Sequence, residues 1–225
     1  MTGFYAIVSN HFNLDRLGLF DVKDVQILSA LGTWRYSQSI YRFHPDLLGA
    51  LVASTIFGDL PAEVFQRLPE WCLYVETPGL TRLGKPLEGF FVHMEYDVNT
   101  TRSELRFLFN MESGELEIGI LHIGDWKVEE SVRRALEESR RQAELIGINL
   151  FQNYEPEVVV KAFAQELTGF VSIVLYICSN DPDIDDIARR PEPVKTRKGM
   201  RFFPANKSRI VQVGNQIGEK LRVHR

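Results

Sequence analysis

Cysteine is scarce, with only Cys72 and Cys178 in 225 residues. They form no Cys-x-x-Cys pair, so neither a thiol–disulfide motif nor a zinc knuckle has a basis in the sequence. A disulfide framework needs more cysteines in a shorter chain. Each cysteine sits in an apolar run, and two free, buried thiols are expected. Phosphate-binding glycine loops are also missing: Val213-Gly214-Asn215-Gln216-Ile217-Gly218 fits neither the dinucleotide nor the P-loop fingerprint. No serine stands in a nucleophile elbow. With no catalytic signature and no residue set that calls for a cofactor, a binding or adaptor role is expected rather than an enzyme. The longest apolar stretch, about Phe163 to Cys178, is broken by Gln165, Glu166, Thr168 and Ser172. A membrane span needs about 20 mostly apolar residues, so this stretch reads as a core helix. No basic residue precedes Phe4-Tyr5-Ala6-Ile7-Val8, which predicts no signal peptide and a cytoplasmic location.

The chain does have an ordinary globular composition. A hydrophobic fraction of 44% and a charged fraction of 25% exclude a largely disordered or low-complexity polymer. Charge is unevenly placed. The net charge of −4 hides a strong asymmetry. Residues 189–225 carry 11 Lys or Arg against Glu192 and Glu219, a surplus of nine positive charges. Residues 1–188 carry 15 against 28 acids, a deficit of 13. The expected organisation is an acidic core domain over 1–188 and a basic C-terminal segment over 189–225, ending in a helix packed on the core. That segment either lies across the acidic body or reaches a phosphate-rich partner, with Arg197, Lys198 and Arg201 as RNA contacts and Phe202 and Phe203 available to stack on bases.

Periodicity divides the chain into helices, strands and helices again. Apolar residues spaced three and four apart predict a helix over about 22–41, a second from Pro45 and a short third over 61–67. The period then becomes two. Strands are expected over 71–75, 87–97, 103–110 and 115–123, joined as a four-stranded antiparallel meander. Asp125 is a candidate N-cap for an exposed amphipathic helix in which Glu129/Arg133 and Glu130/Arg134 are i, i+4 pairs. Further helices are expected from Pro156 to about Cys178 and over 208–223, where Gly214 and Gly218 allow close packing. Runs of one element type, rather than alternation, predict an α+β fold in which the meander packs against N-terminal and C-terminal helices.

Alternation in the second strand puts His93, Glu95 and Asp97 on one face. Three such groups have metal-ligand chemistry, but a one-sided sheet shows the same polar face by default. Glu104, Glu115 and Glu117 are expected beside them, making an acidic surface suited to a basic peptide. Trp34, Tyr41, Trp71 and Tyr74 are the aromatic candidates for a peptide site, with Glu95, Asp97 and Glu117 as its acidic part; large aromatics equally serve cores. Asp181, Asp183, Asp185 and Asp186 lack the glycine and terminal glutamate of a calcium loop, and Asp181-Pro182-Asp183 reads as a turn with a helix-capping role.

Several stretches resemble one family. They are Leu31-Gly32-Thr33-Trp34-Arg35 with Ile40-Tyr41, Pro61-Ala62-Glu63-Val64-Phe65, Leu68-Pro69-Glu70-Trp71-Cys72-Leu73-Tyr74-Val75, Gly89-Phe90-Phe91, Asp181-Pro182-Asp183-Ile184, Lys198-Gly199 with Phe203-Pro204, and Val213 to Arg222. Their order and spacing are similar to the type V-A anti-CRISPR family that acts during translation. The resemblance implies a protein of phage or mobile DNA that recognises the N-terminal segment of the nascent type V-A effector nuclease and triggers loss of its mRNA. The ribosome or the mRNA is then a second partner, and no membrane is involved. An RNA-binding factor, or a mobile-element adaptor with another protein target, is the alternative reading.

Overall fold

The computed structural model describes residues 19–97, 101–145, 147, 155–185 and 190–223, with the side chains of 19–23 and of Asp97 left aside. In chain order the elements are α1 (Leu19–Trp34), β1 (Ser39–Phe43), α2 (Pro45–Val52), α3 (Ala62–Phe65), β2 (Cys72–Glu76), β3 (Thr81–Arg82), β4 (Lys85–Asp97), β5 (Arg102–Met111) and β6 (Leu116–Ile123). They are followed by α4 (Val128–Leu145), α5 (Pro156–Ile177), β7 (Val194–Thr196), β8 (Gly199–Arg201), β9 (Arg209–Val213) and α6 (Asn215–Val223).

The α+β class holds, and the four expected strands lie side by side. They do not form an independent meander. The sheet runs β6-β5-β4-β2-β1-β9, with β3 paired to β4, giving seven strands. From β6 to β2 the pairing is antiparallel; β1 is parallel to both β2 and β9. The two additional long strands were concealed inside expected helices. The first helix stops at Trp34 because the chain turns there: Gln38 N–H donates to Trp34 O at 2.8 Å, with Gln38 at φ 51°. Ile40 and Tyr41 then belong to β1, whose alternating burial is that of a strand. The last helix begins at Asn215, not at 208. Arg209-Ile210-Val211-Gln212-Val213 has three β-branched residues in five and pairs with β1 in a five-residue register from Ser39↔Arg209 to Phe43↔Val213. Helix α4 begins at Val128, beyond Asp125, because Trp126 N–H turns back onto Gly124 O.

Helices cover both faces of the sheet. On one face Phe90 and Phe109 meet Phe170 of α5, with ring centroids of Phe109 and Phe170 5.0 Å apart, and Phe107 packs against both Phe90 and Phe109. Leu47 and Leu48 of α2, Val128 and Val132 of α4, and Leu167, Val171 and Val174 of α5 complete this main core. Arg82 is buried at its rim: its Nε donates to Glu117 at 3.0 Å, its Nη1 lies 3.5 Å from Glu166 of α5, and its guanidinium sits 3.9 Å over the Phe109 ring. By length and composition α5 would also suit a membrane, but half of its apolar window is buried here against the sheet and its neighbouring helices. On the other face, α1 lays Ile27, Ala30, Leu31 and Trp34 over Cys72, Tyr74, Phe91, Leu108, Leu116 and Ile118.

Chain closure at the C-terminus relies on two glycines. Gly214, at φ +76°, joins β9 to α6, and a Cβ there would overlap Leu47 of α2. Gly218, one turn later, lies against the His44 ring in the same way. Asp183 serves this junction from a distance. Its carboxylate accepts from the N–H groups of Gln216 and Ile217 at 2.7 and 3.0 Å, capping α6. The aspartate cluster is thus a capping device, for a helix more than thirty residues further on; Asp186 lies outside the described residues.

Two outcomes follow. Gly214→Ala meets both the left-handed φ and the Leu47 side chain, and lowers stability by about 2–4 kcal/mol in denaturant melts. Both cysteines are free and buried, and burial pushes their thiols up, Cys178 to about 12. A thiol-reactive chromophore therefore labels neither in the folded protein and both after unfolding.

Candidate functional site: an aromatic ledge and cationic cleft

The sheet geometry first disposes of the expected acidic surface. Glu95 and Glu104 are cross-strand neighbours on one face, as expected. Glu117 is not with them. It pairs with Phe109, a main-core residue, and so points to the opposite face, where it binds Arg82 and Lys85. Leu116 and Ile118 take the positions under α1 instead. A sheet covered on both sides has apolar residues on both faces, so alternation alone did not assign β6 to the correct one.

The polar groups beneath the end of α1 form an internal network. Ser29 Oγ of α1 donates to Glu95 Oε1 at 2.8 Å, and His93 Nε2 lies 3.3 Å from the same oxygen. Arg106 bridges Glu95 and Glu104 at 3.1 and 2.7 Å; Arg102 and His122 hold the other Glu104 oxygen at 2.7 and 3.5 Å. No group of three or more His, Cys, Asp or Glu side chains able to hold a metal is found among the described residues. Asp97 ends β4, and its side chain lies outside the described set. Burial pushes the Glu95 carboxyl up, but hydrogen bonds from His93 and Ser29 and the charge of Arg106 outweigh it and hold it at about 2. Burial and the Arg102 charge push His122 down to about 4, against the pull of Glu104.

The aromatic candidates separate into three environments. Tyr41 is fully buried in the main core, its hydroxyl donating to Glu70 Oε1 at 3.2 Å. Trp34 and Tyr74 pack with Phe91 under α1, Trp34 donating its indole N–H to Ser39 O at 2.9 Å. Trp71, half-buried, belongs to a third cluster. Its ring meets Phe202 at 4.8 Å and Tyr36 at 5.9 Å, both edge-to-face, and Tyr36 meets Phe202 at 6.3 Å. These rings form a ledge just before the parallel strands begin. Arg35 lies over the outer face of Tyr36 at 4.9 Å.

Beside the ledge opens a cleft of about 560 Å³ lined by Ser37, Ser39, Ala205, Lys207, Ser208 and Arg209. It exists because β9 enters the sheet parallel to β1, which brings the N-terminal ends of both strands together. Ala205 N–H donates to Arg35 O, and the Gln38 side chain donates to Ala205 O at 2.9 Å. Below the cleft Glu70 is buried; its Oε1 lies 3.5 Å from Arg209 Nη2, and its Oε2 has no hydrogen-bond partner among the described residues. The β7–β8 hairpin stands out from this end, with Arg197 and Lys198 in its turn and Arg201 at the end of β8, all exposed. Sequence reasoning missed Tyr36, Ser39, Lys207 and Arg209 as neighbours. The signal was present in the β-branched residues from Arg209 to Val213, which a helical reading of 208–223 hid.

The fold and this surface define an α+β domain with aromatic and cationic groups at one end of a mixed sheet. The model of the AcrVA2-like family, the anti-CRISPR type V subtype A2 family, matches residues 41–225, and the chain belongs to that family. The chain is also similar to protein FinQ of Escherichia coli, 27% identical over an alignment of 208 residues that covers 85% of this chain. It spans 59% of the length of that relative. The crystal structure of AcrVA2 shares the fold, with a TM-score of 0.63 and 17% identity over 92% of this chain and 67% of the other.

The network makes a pH prediction. Glu95 is depressed from an ordinary 4.5 to about 2, so its contribution is fully present above about pH 4.5 and is lost as pH falls through about 2. Glu95→Gln costs about 3 kcal/mol at pH 7, and the gap to the parent protein closes between those two values in denaturant melts. His122 stays neutral in the fold, so the parent protein also loses stability as pH falls from 6.5 toward 4.

Proposed function

We propose that this protein is an anti-CRISPR factor that lowers production of a type V-A effector nuclease by capturing the effector's N-terminal segment as it is translated, with loss of the encoding mRNA following capture. The observation that carries the reading is the family match over residues 41–225.

The ledge of Tyr36, Trp71 and Phe202 is the part of the surface best suited to such a segment. Half-exposed aromatic rings offer large, stiff apolar area at little cost in side-chain freedom, and anchors of this kind dominate peptide binding. Glu95 lies within a network under α1 and Glu117 across the sheet. The charged half of the predicted site is therefore replaced here by apolar capture on the ledge.

A synthetic peptide of the effector's first residues, titrated against the protein, quenches or shifts tryptophan fluorescence. Trp71→Ala weakens binding by at least tenfold while the melting temperature stays within a few degrees. Absence of binding at any workable concentration, or undiminished affinity in Trp71→Ala, overturns capture at the ledge.

A further inference from the structure

We infer that the β7–β8 hairpin and the adjoining cleft form a binding surface for single-stranded nucleic acid. The inference stands apart from peptide capture, resting on the cations of the C-terminal segment and one body arginine.

The first observation is where unpaired positive charge lies. All the arginines of β5 and α4 are tied to carboxylates, including Arg106 to Glu95 and Glu104, Arg133 to Glu157 and Arg134 to Glu130. In contrast, Arg35, Lys195, Arg197, Lys198, Arg201 and Lys207 make no ion pair with a carboxylate among the described residues. Unlike Arg209, which meets Glu70, these cations of the segment are not spent on neutralising the acidic body. They project into solvent from one end of the sheet.

The second observation is how the hairpin holds these groups. Thr196 Oγ1 donates to Gly199 O at 2.7 Å and accepts from Lys198 N–H at 3.2 Å, and Gly199 takes φ +99°. The turn is thus fixed with Arg197 and Lys198 at its tip. The register Val194↔Arg201 and Lys195↔Met200 places Arg201 and Lys195 on opposite faces of the ribbon. Cations on both faces and at the tip suit a flexible chain that can wrap around it.

The third observation is the cleft chemistry. Lys207 and Arg209 flank Ser208 in the cleft wall, and this pair of cations fits a phosphate oxygen. Next to it Phe203 is 53% exposed with no aromatic neighbour among the described residues, a free face for a base. Phosphate groups at cations and a base on an exposed ring are the two needs of a single strand; a duplex hides its base faces. RNA and DNA share this chemistry.

The test is fluorescence anisotropy of the full chain with a labelled 12-nucleotide RNA, the DNA of the same sequence, and the corresponding duplex. Either or both single strands bind more tightly than the duplex; comparing them identifies the source. Engagement of about four phosphates predicts an affinity loss of about 50-fold between 50 and 200 mM salt. Changing Lys195, Arg197, Lys198 and Arg201 together to Ala removes at least tenfold of the affinity at 50 mM salt and flattens the salt dependence. The hairpin is exposed, so the melting temperature and peptide binding are retained. Phe203→Ala and Lys207→Glu each weaken single-strand binding about fivefold or more, which keeps the test decisive if the fourfold variant does not fold. Failure of all three oligomers to bind at 50 mM salt, tighter or equal binding of the duplex, or unchanged affinity in the folded variants overturns the inference.

Discussion

The parallel pairing of β9 with β1 is the contact on which the ledge and cleft of this molecule depend. It joins residues 209–213 to residues 39–43 across most of the chain and makes the C-terminal segment a part of the sheet. Without it the cleft has no second wall, Phe202 has no fixed place against Trp71, and α6 loses its seat on α2. The pairing needs a sharp change of direction just after Val213. Gly214 supplies the left-handed backbone and the missing side chain, while Asp183 caps the helix that follows.

A second constraint is coverage of both sheet faces. With α1 on one side and α2, α4 and α5 on the other, polar residues of the strands are drawn inside. Buried charges are tolerated only when paired and hydrogen-bonded. The His93–Glu95–Arg106–Glu104–Arg102–His122 series meets that demand, with Ser29 closing one end. Arg82 meets it on the opposite face between Glu117 and Glu166. These networks tie α1 and β3 to the sheet, and the aromatic ledge and cationic cleft lie at the end where the parallel strands begin.

Much of this was legible in the sequence where one physical signal was strong. The alternation of Phe90, Val92 and Met94, and of Leu105, Phe107 and Phe109, located β4 and β5 and their buried face. The apolar breadth of 156–177 marked a central helix, and the apolar settings of the two cysteines marked buried thiols. Legibility failed where two periods coincide over a few residues. Ile40 and Tyr41 continue a helical stripe from α1 and also fit a strand, and partners far along the chain decided between them. Ile210, Val213 and Ile217 posed the same ambiguity. The face of β6 was lost because Leu116 and Ile118 are apolar for α1, not for the main core. The charge asymmetry was visible at once, but the cleft it borders was not, since that depends on β9 finding β1.

The reading of this protein as a translation-time inhibitor is tested most directly inside cells with a matched pair of reporters. Both mRNAs carry the nucleotides encoding the effector's first residues ahead of a reporter gene, one in frame and one shifted so that a different peptide emerges from nearly the same RNA. The account predicts that expression of this protein lowers the in-frame reporter mRNA and leaves the shifted one unchanged. An equal fall in both, or no fall in either, contradicts it.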